Sequence, residues 1–321
     1  MVARKPMQCF WCAGMKRVAA LDCGTNSIRL LIAEENSGAS TFTEISRKMS
    51  IVKLGEGVDK NQAFLPDAIS RTLAALKVFA TEIAEAQVEQ IRFCATSATR
   101  DAQNRDEFLI PVAHILGITP EVISGEEEAR LSFKGATQGL DKASGPFLVV
   151  DIGGGSTEFV FGSDHVDAAR SVNIGCVRMS ERHFKNDPQT KSEIESARED
   201  IKKAIAQAAE VVPITSAKTL VAVAGTATTV AAAALNLAEY DSELIHLSKI
   251  SANETRRVSN WLLALTRQER ADLGYMHPGR VDVIAAGSLV LAEIMEATGL
   301  ESFVASENDI LDGMVWTMLN A

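Results

Sequence analysis

Two short stretches carry the residue types and spacings that could do chemistry. Residues 18–33 read VAALDCGTNSIRLLIA and residues 147–162 read FLVVDIGGGSTEFVFG. In each, an apolar strand ends on an aspartate, a turn of small residues follows, and a second apolar strand returns. Asp22, Gly24 and Ser27 recur as Asp151, Gly153 and Ser156 at one constant offset. Glycine and small residues after a strand let backbone N–H groups point into a concavity, which suits phosphate oxygens. Thr25, Asn26 and Ser27, and Gly153, Gly154, Gly155 and Ser156, therefore form two candidate anion cradles, with Ser27 and Ser156 as hydroxyl donors. Neither is a Walker loop. An aspartate cannot bind phosphate directly, so Asp22 and Asp151 are assigned to a divalent cation or its waters. Glu158 lies on the returning strand, and across a hairpin it faces the same cleft as Asp151.

Three further groups follow strand-like segments. Ser124 with Glu127 three residues on reads as a capping box at a helix start. The run Glu126-Glu127-Glu128 complements the helix dipole, and that dipole also keeps a first-turn glutamate ionised, as a general base for water must be. Arg100, after the strand Ile91–Ala95, and Arg29, beside the first turn, are candidate phosphate forks, because a guanidinium matches phosphate bidentately. A surface salt bridge is the alternative for each. Gly225-Thr226-Ala227-Thr228-Thr229 reads as a third phosphate- or nucleotide-facing turn, and Arg280 and Asp282 open the last long helix, with plain solvation as their alternative. His114, His183 and His277 share no ligand spacing.

The elements that must position these residues alternate strand with helix, which is the pattern of an α/β fold. The echoed stretches read as a duplicated strand–turn–strand hairpin. Helical periodicity marks segments opened by Pro66, over Arg105–Leu116, from Ile194 to Val212 and around Val258–Leu265; residues 280–298 form a long apolar helix stopped by Gly299. The expected organisation is an extension over residues 1–15, a first domain over 16–140 and a second over 141–321, whose last helix packs back on the first.

Composition bounds the rest. The chain has 321 residues, with 32 Lys and Arg against 42 Asp and Glu and 46% hydrophobic residues. That is a globular composition, and the net acidity argues against non-specific nucleic-acid binding. No apolar run approaches the ~18 residues that would span a membrane. Cys23, Cys94 and Cys176 lie in or beside apolar runs and read as small buried hydrophobes, while Cys9 and Cys12 make one unpartnered CxxC. No secretory signal is visible, so the cytoplasm is the expected location.

Taken together these blocks resemble the exopolyphosphatase/guanosine pentaphosphate phosphatase (Ppx/GppA) family. The resemblance rests on DCGTNSIRL at 22–30, ATSA at 95–98 with Arg100, Asp101, Ala102 and Asn104, SGEEEA at 124–129, DIGGGSTE at 151–158, GTATT at 225–229 and RVDVI at 280–284. It implies the actin/Hsp70/sugar-kinase fold, with two similar α/β domains and an active site in the cleft between them. It further implies removal of a terminal phosphate from inorganic polyphosphate, or from guanosine pentaphosphate (pppGpp), with Mg²⁺ or Mn²⁺, by a homodimer. By position, Glu128 is then the general base and Glu127 an acid that helps to place the water. Asp151, Glu158 and Asp22 hold the metal. The backbone of Thr25–Ser27 and Gly153–Ser156 binds the terminal phosphoryl group, and Arg29, Arg100 and Arg280 contact substrate phosphates. The sequence ends before the additional C-terminal helical domain of larger members, so the short two-domain form is expected. An actin-like kinase or ATPase is the remaining alternative.

Overall fold

The computed structural model describes residues 16–36 and 41–320. The expected N-terminal extension, with Cys9 and Cys12, lies outside the described residues.

The first apolar repeat folds into an antiparallel hairpin, β1 (Arg17–Cys23) and β2 (Ser27–Glu35), to which β3 (Phe42–Ile51) adds at the edge. β4 (Gln90–Ala95) and β5 (Glu121–Val122) join on the other side in parallel, giving the order β3-β2-β1-β4-β5. Parallel neighbours need crossovers. These are supplied by α1 (Val58–Asn61) and α2 (Pro66–Glu85), then by α3 (Ser97–Asp101) and α4 (Asp106–Leu116). Leu76, Phe79 and Ile83 of α2 share one helical face and, with Phe108 and Val112 of α4, bury Leu21, Ile28 and Leu30 of the sheet. The helix α5 (Gly125–Thr137) follows.

The second repeat builds β6 (Phe147–Ile152) and β7 (Thr157–Gly162), extended by β8 (Val166–Val172). β9 (Thr219–Val223) and β11 (Ser302–Ala305) add in parallel, and β10 (Lys249–Ser251) closes the edge, in the order β10-β11-β9-β6-β7-β8. Read outward from the hairpin, the five strands of the first sheet match β8-β7-β6-β9-β11 of the second in order and direction, with β10 as an addition, so the duplication extends well beyond the echoed residues. The helices of this half are α6 (Cys176–His183), α7 (Lys191–Ala209), α8 (Ala224–Ala234), α9 (Ser242–Ile245), α10 (Ala252–Ala264), α11 (Arg267–Ala271), α12 (Ile284–Thr298) and α13 (Ile310–Leu319). α7, α8, α10 and α12 bury one face of the sheet.

Two helices cross over between the halves. α5 lays Ala129, Phe133 and Ala136 on Val149 and Val160 of the second sheet. α13 lays Ile310, Met314 and Val315 on Val18, Ala20 and Leu31 of the first, and α5 and α13 pack against each other. The N-terminal turn of α5, which carries Glu128, is thereby brought to the second hairpin, although it precedes residue 141 in the chain.

Two elements differ from the sequence reading. The long helix expected from residue 280 starts at Ile284, because residues Pro278–Arg280 form a 3₁₀ turn in which His277 Nδ1 accepts from Gly279 N at 3.1 Å. Arg280 therefore sits on a loop at the cleft instead of in a helix. The Gly225–Thr229 stretch is helical, inside α8, and the chain enters it sharply at Ala224, in the left-handed region at φ 67°. Gly299 ends α12 at φ 69°, as a C-terminal glycine should. Among the described residues no helix is long and apolar enough to cross a membrane.

Candidate active site

The two glycine bends meet. A methyl group on Gly154 would lie 2.8 Å from Thr25 Cβ, and one on Gly155 only 2.7 Å from Thr25 Oγ1 and 2.4 Å from Ser97 Oγ. The bends are built alike: Gly24 N donates to Ser27 O at 3.0 Å, and Gly153 N to Ser156 O at 3.1 Å. Five of their carbonyls are held by backing segments, away from the cleft. Thr25 O accepts from Gly55 N, Asn26 O from Val52 N and Lys53 N, Gly153 O from Cys176 N, and Gly154 O from Val177 N and Arg178 N. Gly155 O accepts from Arg178 Nε at 2.7 Å. In a trans peptide the carbonyl and the following N–H point in opposite directions. The N–H groups of Asn26, Ser27, Gly154, Gly155 and Ser156 are therefore left facing the cleft, which is what an anion needs.

Between the bends lies a cavity of about 100 Å³ lined by both of them and by Asp22, Arg29, Glu128, Asp151, Gly225 and Arg280. Arg29, Met49, Gly225 and Arg280 also line a neighbouring outer cavity of about 450 Å³. Thr25 Oγ1 and Asn26 Oδ1 on the wall of the inner cavity are buried polar atoms without a hydrogen-bond partner, as is Oε2 of Glu158, which is fully buried on β7 and does not itself line the cavity although the sequence reading had it face the cleft. Buried polar groups are ordinarily satisfied, so orphans on facing loops mark where a ligand belongs.

The carboxylates divide by position in the repeat. Asp22 stands opposite Arg29 in the first hairpin, and Asp151 opposite Glu158 in the second. Arg29 and Glu158 thus occupy equivalent places with opposite charge. Asp22 is neutralised in place, its Oδ2 accepting from Arg29 Nε at 3.0 Å and Nη2 at 2.6 Å, and Arg29 Nη1 also donates to Asp309. Asp151 and Glu158 have no such cation; Asp151 Oδ2 accepts from Ser132 Oγ at 2.6 Å and Glu158 Oε1 from Ser171 Oγ at 2.7 Å. Glu128, 9% exposed, accepts from Arg100 Nη1 through Oε2 at 2.8 Å.

Four further sequence expectations change on this geometry. Glu127 does not line the cavity: successive helix residues point about 100° apart, so with Glu128 turned inward Glu127 turns out, 40% exposed and 3.5 Å from Arg92. Ser124 Oγ does cap the helix, accepting from Glu127 N. Arg100 is not on the cavity wall either; Glu128 and the Ile123 carbonyl hold it. Asp22 has Arg29 as its partner where a metal was expected. And the dipole does not set the charge of Glu128, because burial first and the Glu158 carboxylate second push its pKa well up, against the pull of Arg100. Arg280 does reach the site, lying over Gly225 with Nη1 donating to Thr229 Oγ1 at 3.1 Å. Asp309 and Arg178 were missed. For Asp309 a signal existed, since Asp309 and Asp312 form a capping box before an apolar run.

The Ppx/GppA phosphatase family matches residues 31–321. The chain belongs to this family. It is 44% identical to exopolyphosphatase 2 of Mycobacterium tuberculosis, over 95% of this chain and 99% of that protein. It is 33% identical to guanosine-5'-triphosphate,3'-diphosphate pyrophosphatase of Photobacterium profundum, over 94% of this chain and 59% of that one. The crystal structure of an exopolyphosphatase-like protein superposes with a TM-score of 0.89 at 42% identity, over 95% of this chain and 99% of that one. A nucleoside triphosphate hydrolase from Neospora caninum (TM-score 0.52, 9% identity, 96% and 93% covered) shares the fold alone. The fold is of the actin/Hsp70/sugar-kinase class, as the sequence resemblance implied.

Among the described residues no three metal-binding side chains already converge. The charge balance nonetheless asks for a cation: the buried carboxylates Asp22, Glu128, Asp151, Glu158 and Asp309 stand against Arg29, Arg100 and Arg280. Burial first, then Glu158, push Asp151 up to about 7 from an ordinary 3.8. With the orphaned Glu158 Oε2, these groups fit a hard ion that keeps several of its waters.

A stability experiment follows. Between 3.8 and about 7 folded Asp151 keeps a proton that the unfolded chain has released. Stability without metal is therefore expected to fall as pH rises through that window and to level off above it. Urea unfolding in chelator across this range should show the fall, and Asp151→Asn should flatten it.

Proposed function

We propose that this chain is an exopolyphosphatase, removing the terminal phosphate of inorganic polyphosphate as orthophosphate. The observation that carries this reading is the pair of touching glycine bends, whose N–H groups face one small cavity also lined by Glu128. The terminal phosphoryl group sits between the bends, its charge spread over backbone N–H groups, and Arg280 at the mouth meets the phosphates that follow. Arg100 occupies Glu128 Oε2 and leaves Oε1 to take a proton from water. The new bond runs from the water oxygen to phosphorus, and the bridging P–O bond opposite it breaks. Asp151 and Glu158 would hold Mg²⁺ or Mn²⁺, which when bound would neutralise charge developing on the phosphoryl oxygens. The 44% identity to exopolyphosphatase 2 supports the same substrate class. The reading extends to a homodimer in the cytoplasm, as the family resemblance implies.

The outer cavity favours a second reading, a pppGpp 5'-phosphatase. Tyr240, Tyr275, Met276 and His277 stand there beside Arg47 and Lys48, a lining that suits a nucleoside as well as a phosphate tail. Orthophosphate release from polyphosphates of several lengths, pppGpp and ATP, with Mg²⁺ and with chelator, separates these readings. Polyphosphate is expected to be the fastest substrate and chelator to stop the reaction. Faster pppGpp cleavage would install the second reading, and faster ATP hydrolysis would remove both.

A further inference from the structure

The structure assigns a role to Arg178, on the side of the glycine bends away from the substrate cavity. Its side chain is 9% exposed and projects from α6, in the second half, into the first. Nε donates to the Gly155 carbonyl at 2.7 Å, Nη1 pairs with Asp59 of α1, and Nη2 pairs with Asp101 at the end of α3. Two more residues of the same helical face reinforce the contact. Glu181 accepts from Gly57 N at 3.0 Å, and Arg182 reaches Asp59 at 3.1 Å.

The partners matter because of what they already hold. The segment just before Asp59 supplies the N–H groups that turn the Thr25 and Asn26 carbonyls away from the cleft, and the start of α6 does the same for Gly153 and Gly154. Arg178 ties these two backing elements together. Asp101 directly follows Arg100, which grips Glu128. One guanidinium therefore touches one bend directly, backs the other through Asp59, and neighbours the anchor of the proposed base through Asp101.

We propose that Arg178 is a positioning residue for phosphoryl transfer, setting the spacing of the two bends and the orientation of Arg100 and Glu128. This rests on the phosphohydrolase reading above. A lysine has no planar fork with which to reach three acceptors at once, so Arg178→Lys is expected to fail almost as fully as Arg178→Gln.

The test measures kcat, KM and inhibition by orthovanadate and by orthophosphate. The proteins are wild type, Arg178→Gln, Arg178→Lys, Asp101→Asn and Glu128→Gln, with melting temperature followed for each. Misplacement of the bends is expected to lower kcat on the order of 10²-fold in Arg178→Gln, with KM shifted far less. Orthovanadate, which adopts a trigonal-bipyramidal geometry, should lose affinity in step with kcat/KM, while orthophosphate loses little. Asp101→Asn should show a smaller loss of the same kind, and it carries the test if the Arg178 variants do not fold. A kcat within threefold of wild type in the folded Arg178 variants, or in Asp101→Asn where those do not fold, overturns the proposal. So does equal loss of vanadate and phosphate affinity. If Glu128→Gln also keeps its turnover, the base lies elsewhere; if the wild type releases no phosphate from any of the substrates, the fault lies with the phosphohydrolase reading itself.

Discussion

Glu128→Gln is expected to lower turnover by ~10²–10⁴-fold while leaving KM nearly unchanged, the usual loss for a positioned base. The substitution keeps size and shape. The amide oxygen can still accept from Arg100, so the anchor that now holds Oε2 at 2.8 Å is retained. What disappears is the group that takes the proton from water. Burial and Glu158 raise the pKa of Glu128, which makes it a stronger base once ionised and a group in need of cationic neighbours to stay so. Size, shape and the Arg100 hydrogen bond are kept, so the variant is expected to fold. Phosphate release and thermal melting, measured together, check both halves. Near-normal turnover in a folded Glu128→Gln would place the base elsewhere.

Gly175→Ala should be nearly as damaging, for a steric reason alone. The backbone there is extended, at φ −88° and ψ 162°, so alanine meets no torsional penalty. The added methyl, however, would lie 2.2 Å from both the carbonyl carbon and the oxygen of Gly154, and 2.4 Å from Gly155 N. These are backbone atoms of the second bend and cannot swing aside like a side chain. The bend must shift as a unit, taking its cleft-facing N–H groups with it. Misplacement of that kind can cost on the order of 10²-fold in rate, and overpacking a tight site typically adds ~1–3 kcal/mol of instability. Both kcat and the unfolding midpoint should therefore fall, whereas an effect confined to the midpoint would show that the bend tolerates the displacement.

Local pattern went far towards the fold. The strand–turn–strand echo was legible because period, chain reversal and small turn residues are properties of neighbouring residues, and the observed registers pair Asp22 with Arg29 and Asp151 with Glu158. The helix opened by Pro66 and the glycine stop at Gly299 were legible for the same reason. The start of the last long helix was not, since an apolar run from residue 280 reads as helix even where a 3₁₀ turn delivers Arg280 to the cleft.

Residue type and spacing alone thus determined the duplicated α/β plan, the two bends and most of the charged candidates around them, though not Asp309 or Arg178. Tertiary structure decided which of these charges meet. Arg29 is committed to Asp22 and Asp309, Arg100 to Glu128, and Glu127 to the outer surface. Arg178, unremarkable on its short helix, joins the two halves. Such partnerships form between segments far apart in the chain, where Coulomb attraction and desolvation depend on distances that no local pattern encodes.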